Sequence, residues 1–385
     1  MTMRTSTAWG AAIATVMCTV LASADPNKSA SLDPLLESLL VATKVPALAA
    51  AVVRGGETVA IGAAGVRKEG SPERVTVQDR WHIGSCTKSM TAALAAMLVE
   101  AGDFRWDMTL PEMFPGLARE MNAGWRGATL EELLTHHAGV PHELDENGLW
   151  DRLWDRTLKP PQEQRDYLTR ELLTQQGPVS QPGEGYVYAN AGYALVGHAI
   201  EMKLDRPWED ALRQLLCKPL GMDSVGFGPP GTTGQVDQPW GHKVEADGRL
   251  RPIPPGPDVD NPAAIGPGGS VHCSIGDLAT YAAWQVRGAQ GKGTLLRPET
   301  FRRLHTPFGR RDYACGWRVT RRSWGGGEVL THGGSNTMFY SVIWLAPIKD
   351  FAVVVCTNVG GDVGTHATDA TAWALIQKYL PESTR

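Results

Sequence analysis

Residues 84–102 read Gly-Ser-Cys-Thr-Lys-Ser-Met-Thr-Ala-Ala-Leu-Ala-Ala-Met-Leu-Val-Glu-Ala-Gly. From Met90 to Glu100 the run is rich in Ala, Leu and Met, all strong helix formers. Gly102 stops it. Ser85 therefore opens a helix, and Lys88, three residues on, shares its helical face. That spacing brings a hydroxyl within reach of an amine, with the partial positive charge of a helix N-terminus beside both. No other serine in the chain has a lysine at this offset. A capping serine beside a surface lysine has the same local pattern, so the pair acquires meaning only from its surroundings.

Toward the N-terminus, Ser31 to Ala42 carries leucines at helical spacing, and Pro46 ends that segment. Ala47 to Val53 and Thr58 to Val66 flank the turn Arg54-Gly55-Gly56-Glu57, which predicts a β-hairpin. Toward the C-terminus, residues 106 to 225 are mainly helical in pattern, as in Leu130 to Leu134, Asp166 to Leu173, Gly192 to Lys203 and Trp208 to Leu216. Gly226 to Gly269 is rich in Gly and Pro and holds a predicted hairpin, Gly241 to Ile253, turning at Asp247-Gly248. A helix follows from Ile275 to Trp284. Four strands are then predicted: Ala314 to Thr320, Glu328 to His332, Met338 to Leu345 and Phe351 to Thr357. A last helix runs from Asp369 to Leu380.

Strands at both ends with helices between predict an α/β (α+β) fold. A mixed antiparallel sheet flanked by helices is assembled from residues 25–105 and 260–385, and an all-helical domain is inserted at 106–259. The net charge of −4 and the lack of a basic block argue against nucleic-acid binding. Residues 1–24 place Arg4 before an apolar stretch from Trp9 to Leu21 and end in Ala22-Ser23-Ala24, the form of a secretory signal peptide. The apolar run is shorter than the roughly 20 residues a membrane span needs. Export to the periplasm or medium follows as an expectation, with no stable span after cleavage. Cys18 would leave with the leader, and the remaining five cysteines show no Cys-x-x-Cys pair. An oxidising compartment would permit one or two disulfides among them.

Two further local features carry chemistry. Tyr188-Ala189-Asn190 is the only Tyr-x-Asn in the chain, and its two-residue offset in an extended segment can aim both side chains into one cleft. His332-Gly333-Gly334 ends a predicted strand and leads into Ser335. Its glycines leave room for a substrate along the strand edge, with the Ser335 N–H facing the cleft. Each has a bland counterpart, a packed tyrosine with a turn-closing asparagine in one case and a chance His-x-Gly in the other.

The ordered set Ser-x-x-Lys, Tyr-x-Asn, His-x-Gly resembles the penicillin-recognising serine enzymes. It looks most like the branch of class C β-lactamases, D-alanyl-D-alanine carboxypeptidases, D-aminopeptidases and related esterases. Val45-Pro46-Ala47-Leu48, Trp81-His82-Ile83-Gly84-Ser85, Leu133-Leu134-Thr135-His136, Gly192-Tyr193-Ala194-Leu195-Val196-Gly197 and Gly268-Gly269-Ser270 are similar to family segments. The resemblance implies acyl transfer to Ser85 on a small-molecule or peptide substrate, an amide, peptide or ester, with no cofactor. It assigns Lys88 and Tyr188 jointly as the base and the N–H groups of Ser85 and Ser335 as the oxyanion hole. Asn190 would hold the substrate's acyl side-chain amide and help place Lys88. His332 would bond Tyr188 or the leaving group. The enzymes that destroy penicillins usually carry Lys where this chain has His332, which points away from a class C-type β-lactamase. A non-catalytic penicillin-binding or wall-sensing protein is the reading from another class.

Other chemistries lack their signatures. The Gly-x-Ser-x-Gly elbow of α/β-hydrolases is absent. His136, His137 and His142 cluster without a His-Glu-x-x-His pattern, so no metal is expected, and they are read as shaping the loop after Leu133-Leu134. Cys86 is read as core packing.

Overall fold

Two central strands carry apolar side chains on both faces, and this decides the layering. In a computed structural model, which describes residues 29–380 apart from 146–147, 158 and 310, the strands in chain order are β1 (Ala30–Ser31), β2 (Ala47–Arg54), β3 (Glu57–Gly65), β4 (Arg80–His82), β5 (Gly226–Phe227), β6 (Gly241–Val244), β7 (Leu250–Ile253), β8 (Val271–Ser274), β9 (Arg318–Arg322), β10 (Gly327–Ser335), β11 (Tyr340–Ala346) and β12 (Phe351–Thr357). The main sheet has the order β1-β3-β2-β12-β11-β10-β9, with β1 parallel to β3 and every other pair antiparallel. It is a mixed sheet built from both ends of the chain, as the sequence predicts.

Because side chains alternate along a strand, β2 and β12 feed two separate cores. Ala49, Ala51, Val53, Ala352 and Val354 point into one apolar cluster, and Leu48, Ala50, Val52, Val353 and Val355 into another. Helices Asp33–Thr43 and Gly361–Tyr379 cover the second face. Helix Ile275–Ala289 packs on the first, and its N-terminus is capped by Ser274 accepting from the Asp277 N–H. Strands buried on both sides read as continuous apolar runs, which is why β2 and β12 are so plain in the sequence.

The middle of the chain, residues 106–259, holds the helices Leu110–Met113, Leu130–Leu134, Leu149–Trp154, Pro161–Gln175, Asn190–Leu204 and Trp208–Leu212, together with the short strands β5, β6 and β7. Their apolar residues, Leu133, Leu168 and Leu195 among them, belong to the same continuous cluster as Ala49 and Val354. Within this region Arg165 is fully buried and bonds Glu201, Glu209 and the Ala263 carbonyl, tying three helices, its own among them, to the segment beneath the cleft.

Several boundaries shift. The strand expected at Ala314 to Thr320 begins at Arg318, because Ala314 to Trp317 forms a tight turn in which the Ala314 N–H donates to the Trp317 carbonyl. Gly316, at φ +79°, lets that turn press on helix Thr87–Glu100, where a Cβ would lie 2.5 Å from the Ser89 backbone. The last helix begins at Gly361, eight residues before Asp369. The one or two disulfides that an oxidising compartment would permit are not formed among the described residues. Cys86, Cys217, Cys273, Cys315 and Cys356 are all free and buried, each enclosed in the larger apolar cluster as a small hydrophobe. The predicted leader, residues 1–24, lies outside the described residues. Among the described residues no helix is long and apolar enough to cross a membrane.

Candidate active site

Ser85 sits in a short 3-10 turn, Gly84–Cys86, that runs directly into helix Thr87–Glu100. Lys88 is one helical turn further on and fully buried. Its Nζ lies 3.1 Å from Ser85 Oγ, 2.7 Å from Asn190 Oδ1 and 2.6 Å from the Gly268 carbonyl oxygen. The Tyr188 hydroxyl donates to Ser85 Oγ at 2.8 Å, and the Lys88 Nζ is 4.7 Å from the centre of the Tyr188 ring. Alcohol, amine, phenol and amide, drawn from two distant segments, thus meet at one point.

Local packing explains the convergence. Asn190 opens helix Asn190–Leu204, so the Tyr-x-Asn segment ends in extended backbone at Ala189. His142 donates from Nδ1 to the Tyr188 carbonyl at 2.5 Å, and the Ala189 N–H donates to His136 Nδ1 at 3.1 Å. The His136 ring packs 4.4 Å from the Tyr188 ring, between centroids. Two of the clustered histidines therefore fix the backbone that presents Tyr188. Among the described residues no group of His, Cys, Asp and Glu is arranged to hold a metal. The Gly268 carbonyl reaches Lys88 because the turn Ala263–Gly268 is wedged against two helices. Thr91 Oγ1 donates to the Pro267 carbonyl at 2.7 Å, and a Cβ on Gly197 would fall 2.3 Å from Pro267.

The two N–H groups expected to face the cleft come from segments in close contact. A Cβ on Gly84 would lie 2.2 Å from the Ser335 nitrogen, and one on Gly334 would lie 2.0 Å from the Ile83 oxygen and 2.7 Å from the Ser85 nitrogen. Only glycine at both positions lets β10 and the Ser85 turn approach so closely, and Gly84 also holds φ +50°. The Ser341 hydroxyl, donating to the Ile83 carbonyl at 2.9 Å, staples the turn to β11. Ser335 Oγ donates to the Phe339 carbonyl at 2.7 Å and accepts from the Thr337 N–H, so it shapes the β10–β11 turn. The cleft is lined by Ser85, Asn190, Asp260, Gly268, Ser270 and Ser335 among others.

Burial sets the electrostatics. It pushes the Lys88 amine down to about 7 and the Tyr188 phenol well above its ordinary value, with the hydrogen bond to Ser85 opposing only part of the latter. The neutral amine is therefore populated near pH 7, and the phenolate is not. His332 is buried and lowered to about 3, first by desolvation and then by the Lys88 charge, so its imidazole is neutral. Of the two partners expected of His332, Tyr188 or the leaving group, it does not bond Tyr188. Its Nε2 pairs with the Tyr313 hydroxyl at 3.0 Å, its Nδ1 donates to the Gly333 carbonyl, and its ring stands 6.4 Å from that of Tyr188. The Tyr313 ring packs edge-on against those of both Tyr188 and His332.

A family model described as Beta-lactamase matches residues 32–378. The chain belongs to the beta-lactamase family. Among curated beta-lactamase-family relatives, it is 26% identical over 339 residues to "Penicillin-binding protein 4" of Amycolatopsis lactamdurans, covering 84% of each chain. It is 26% identical to "Unguisins hydrolase ungD'" of Aspergillus campestris over 87% of this chain and 62% of that protein. Two solved structures share the beta-lactamase-family fold. The octameric penicillin-binding protein homologue from Pyrococcus abyssi superposes with a TM-score of 0.72 at 24% identity, over 90% of this chain and 78% of that one. The D-amino acid amidase from Ochrobactrum anthropi SV3 gives 0.67 at 20% identity, over 90% and 95%.

Sequence reasoning passed over three neighbours of the site. Gly268 was quoted only as part of a familiar segment, although its carbonyl anchors Lys88. Tyr313 and Asp260 carry no motif. Their roles depend on contacts across 19 and 178 residues, to His332 and His82, which no local pattern announces.

Proposed function

We propose that this chain is a serine hydrolase that cleaves an amide, peptide or ester through an acyl-enzyme on Ser85. The observation that carries the reading is the position of Ser85 Oγ, 3.1 Å from the buried Lys88 amine and 2.8 Å from the Tyr188 hydroxyl. A serine hydroxyl is a weak nucleophile until a neighbouring base takes its proton. Here burial favours the neutral amine, so Lys88 is the base and Tyr188 remains protonated.

In the first step Ser85 Oγ bonds to the substrate carbonyl carbon and its proton passes to Lys88 Nζ. The carbonyl oxygen becomes an oxyanion held by the N–H groups of Ser85 and Ser335. Each such donor contributes roughly 3–4 kcal/mol to a transition state of this kind. The tetrahedral centre then collapses, the bond to the leaving nitrogen or oxygen breaks, and that atom takes a proton through the Tyr188 hydroxyl, which Lys88 replenishes. Water repeats the sequence on the acyl-enzyme and releases the acid. Asn190 holds Lys88 in register and offers its amide to the acyl side chain.

The relatives support the same class, since those compared carry the names penicillin-binding protein, hydrolase and amidase. The neutral His332 supplies no fixed cation for a penicillin carboxylate, so an acyl donor of peptide, amide or ester type fits better than a β-lactam. The export leader at residues 1–24 remains a proposal, tested by N-terminal sequencing of protein recovered from culture.

The test is to treat the pure protein with a fluorophosphonate or a labelled penicillin, map the adduct by mass spectrometry, and follow nitrophenyl-ester turnover. Label on Ser85 with turnover lost in Ser85→Ala supports the hydrolase. A permanent adduct without turnover means a penicillin sensor, and an adduct elsewhere sinks the mechanism.

A further inference from the structure

Asp260 lies in an irregular segment at the cleft, 6% exposed, and bonds three donors. Its Oδ2 is 2.8 Å from His82 Nε2, and its Oδ1 accepts from the Asn261 N–H at 2.8 Å and from Asn336 Nδ2 at 3.2 Å. His82 ends β4 and is fully buried. Its other ring nitrogen, Nδ1, accepts from the Gly84 N–H at 3.1 Å. An imidazole nitrogen that accepts a hydrogen bond carries no proton, so the proton sits on Nε2 and points at Asp260. The carboxylate thereby selects the tautomer that lets His82 hold Gly84.

On the opposite side Asn336 spends its amide hydrogen on Asp260 and uses its oxygen to accept from the Met338 and Phe339 N–H groups, at 3.2 Å and 3.0 Å. One carboxylate thus reaches both segments whose N–H groups are expected to face the cleft. Gly84 precedes Ser85 by one residue, and Asn336 follows Ser335 by one. The Phe339 ring, 6.2 Å from that of His82, closes the loop between the two arms.

We propose that Asp260 is a positioning residue that sets the spacing of the two oxyanion-binding N–H groups, acting on Ser85 through His82 and Gly84 and on Ser335 through Asn336. This rests on the hydrolase reading above. All three groups facing Asp260 are donors, so Asp260→Asn must turn an NH2 toward a donor and release one arm. Misplacing a reacting group by about 1 Å can cost a hundredfold in rate.

The experiment compares wild type, Asp260→Asn and Asn336→Ala on a nitrophenyl ester, with rates normalised to titratable Ser85. The affinity of each for an arylboronic acid, whose tetrahedral adduct places an oxygen in the oxyanion position, is measured alongside. The expected result is a fall in kcat of about 10- to 100-fold, KM within about twofold, and boronate affinity weakened in parallel with kcat. Unchanged kcat per titrated site and unchanged boronate affinity, with only a lower Tm, would overturn the role. Should Asp260→Asn fail to fold, Asn336→Ala removes a single arm and the same two readouts decide. Wild-type protein that gives no adduct at Ser85 refutes the hydrolase reading itself. Wild type that labels, beside variants that match it, refutes only the part given to Asp260.

Discussion

Lys88 Nζ stands 2.6 Å from the Gly268 carbonyl oxygen and 3.1 Å from Ser85 Oγ, and its hydrogen-bond partners among the described residues are neutral. A buried amine without a carboxylate partner gives up its proton easily. The acid limb of kcat/KM should therefore follow a group near 7, with activity rising as pH increases through that value and the amine becomes neutral. A pH–rate profile on an uncharged ester checks this. A flat profile from pH 6 to 9 would remove Lys88 as the base.

The same depressed amine bears on stability. Its value in the folded state, about 7, is below the ordinary 10.5 of the unfolded chain. Between those values the unfolded state binds more protons, so the Lys88 contribution to stability rises with pH across that window and is constant below it. Lys88→Met has no such term. The Tm of Lys88→Met minus that of wild type should therefore fall steadily as pH is raised from about 7 toward 10, whatever its sign at neutral pH, and calorimetry across that range reads it directly.

Tyr188→Phe keeps the ring against His136 and removes only the hydroxyl that touches Ser85. Turnover should drop by about 10²- to 10⁴-fold, the usual worth of a positioned proton donor or acceptor, with Tm nearly unchanged. Steady-state kinetics beside a melting curve separate the two effects. Loss of fold with retained activity per folded molecule would contradict the assignment.

Gly334→Ala forces a methyl group to within 2.0 Å of the Ile83 carbonyl and 2.7 Å of the Ser85 nitrogen. Both contacts are backbone, so β10 must move away from the nucleophile turn. Overpacking of this kind costs about 1–3 kcal/mol. The displaced N–H should lower kcat by roughly 10²- to 10³-fold. Denaturant titration and ester kinetics measure the two losses on one preparation.

Arg165→Met leaves Glu201 and Glu209 without their shared cation in a fully buried position. Removing one partner of a buried pair costs about 3–5 kcal/mol. Arg165 also holds the Ala263 carbonyl, at the start of the turn that presents Gly268. The expected outcome is a large drop in the denaturation midpoint, read by chemical unfolding, together with a weaker hold on Lys88.

The sheet's central strands and the groups proposed to react are legible in the order of the residues. β2 and β12 are visible because strands covered on both faces must be apolar throughout. Ser85 and Lys88 are visible as a pair because a helix fixes their spacing, and Tyr188 and Asn190 lie only two residues apart. Local geometry carries that information. The start of β9 was misplaced because a turn held by Gly316 against Ser89 depends on a helix more than 200 residues earlier.

Which neighbours the proposed reacting groups acquire depends on how distant segments pack. The partner of His332 is Tyr313, the third acceptor of Lys88 is the Gly268 carbonyl, and the five thiols stay apart in the core. The proton balance between Lys88 and Tyr188 was equally closed to sequence. It depends on how completely each is shielded from water, a property of the packed chain and of no residue alone.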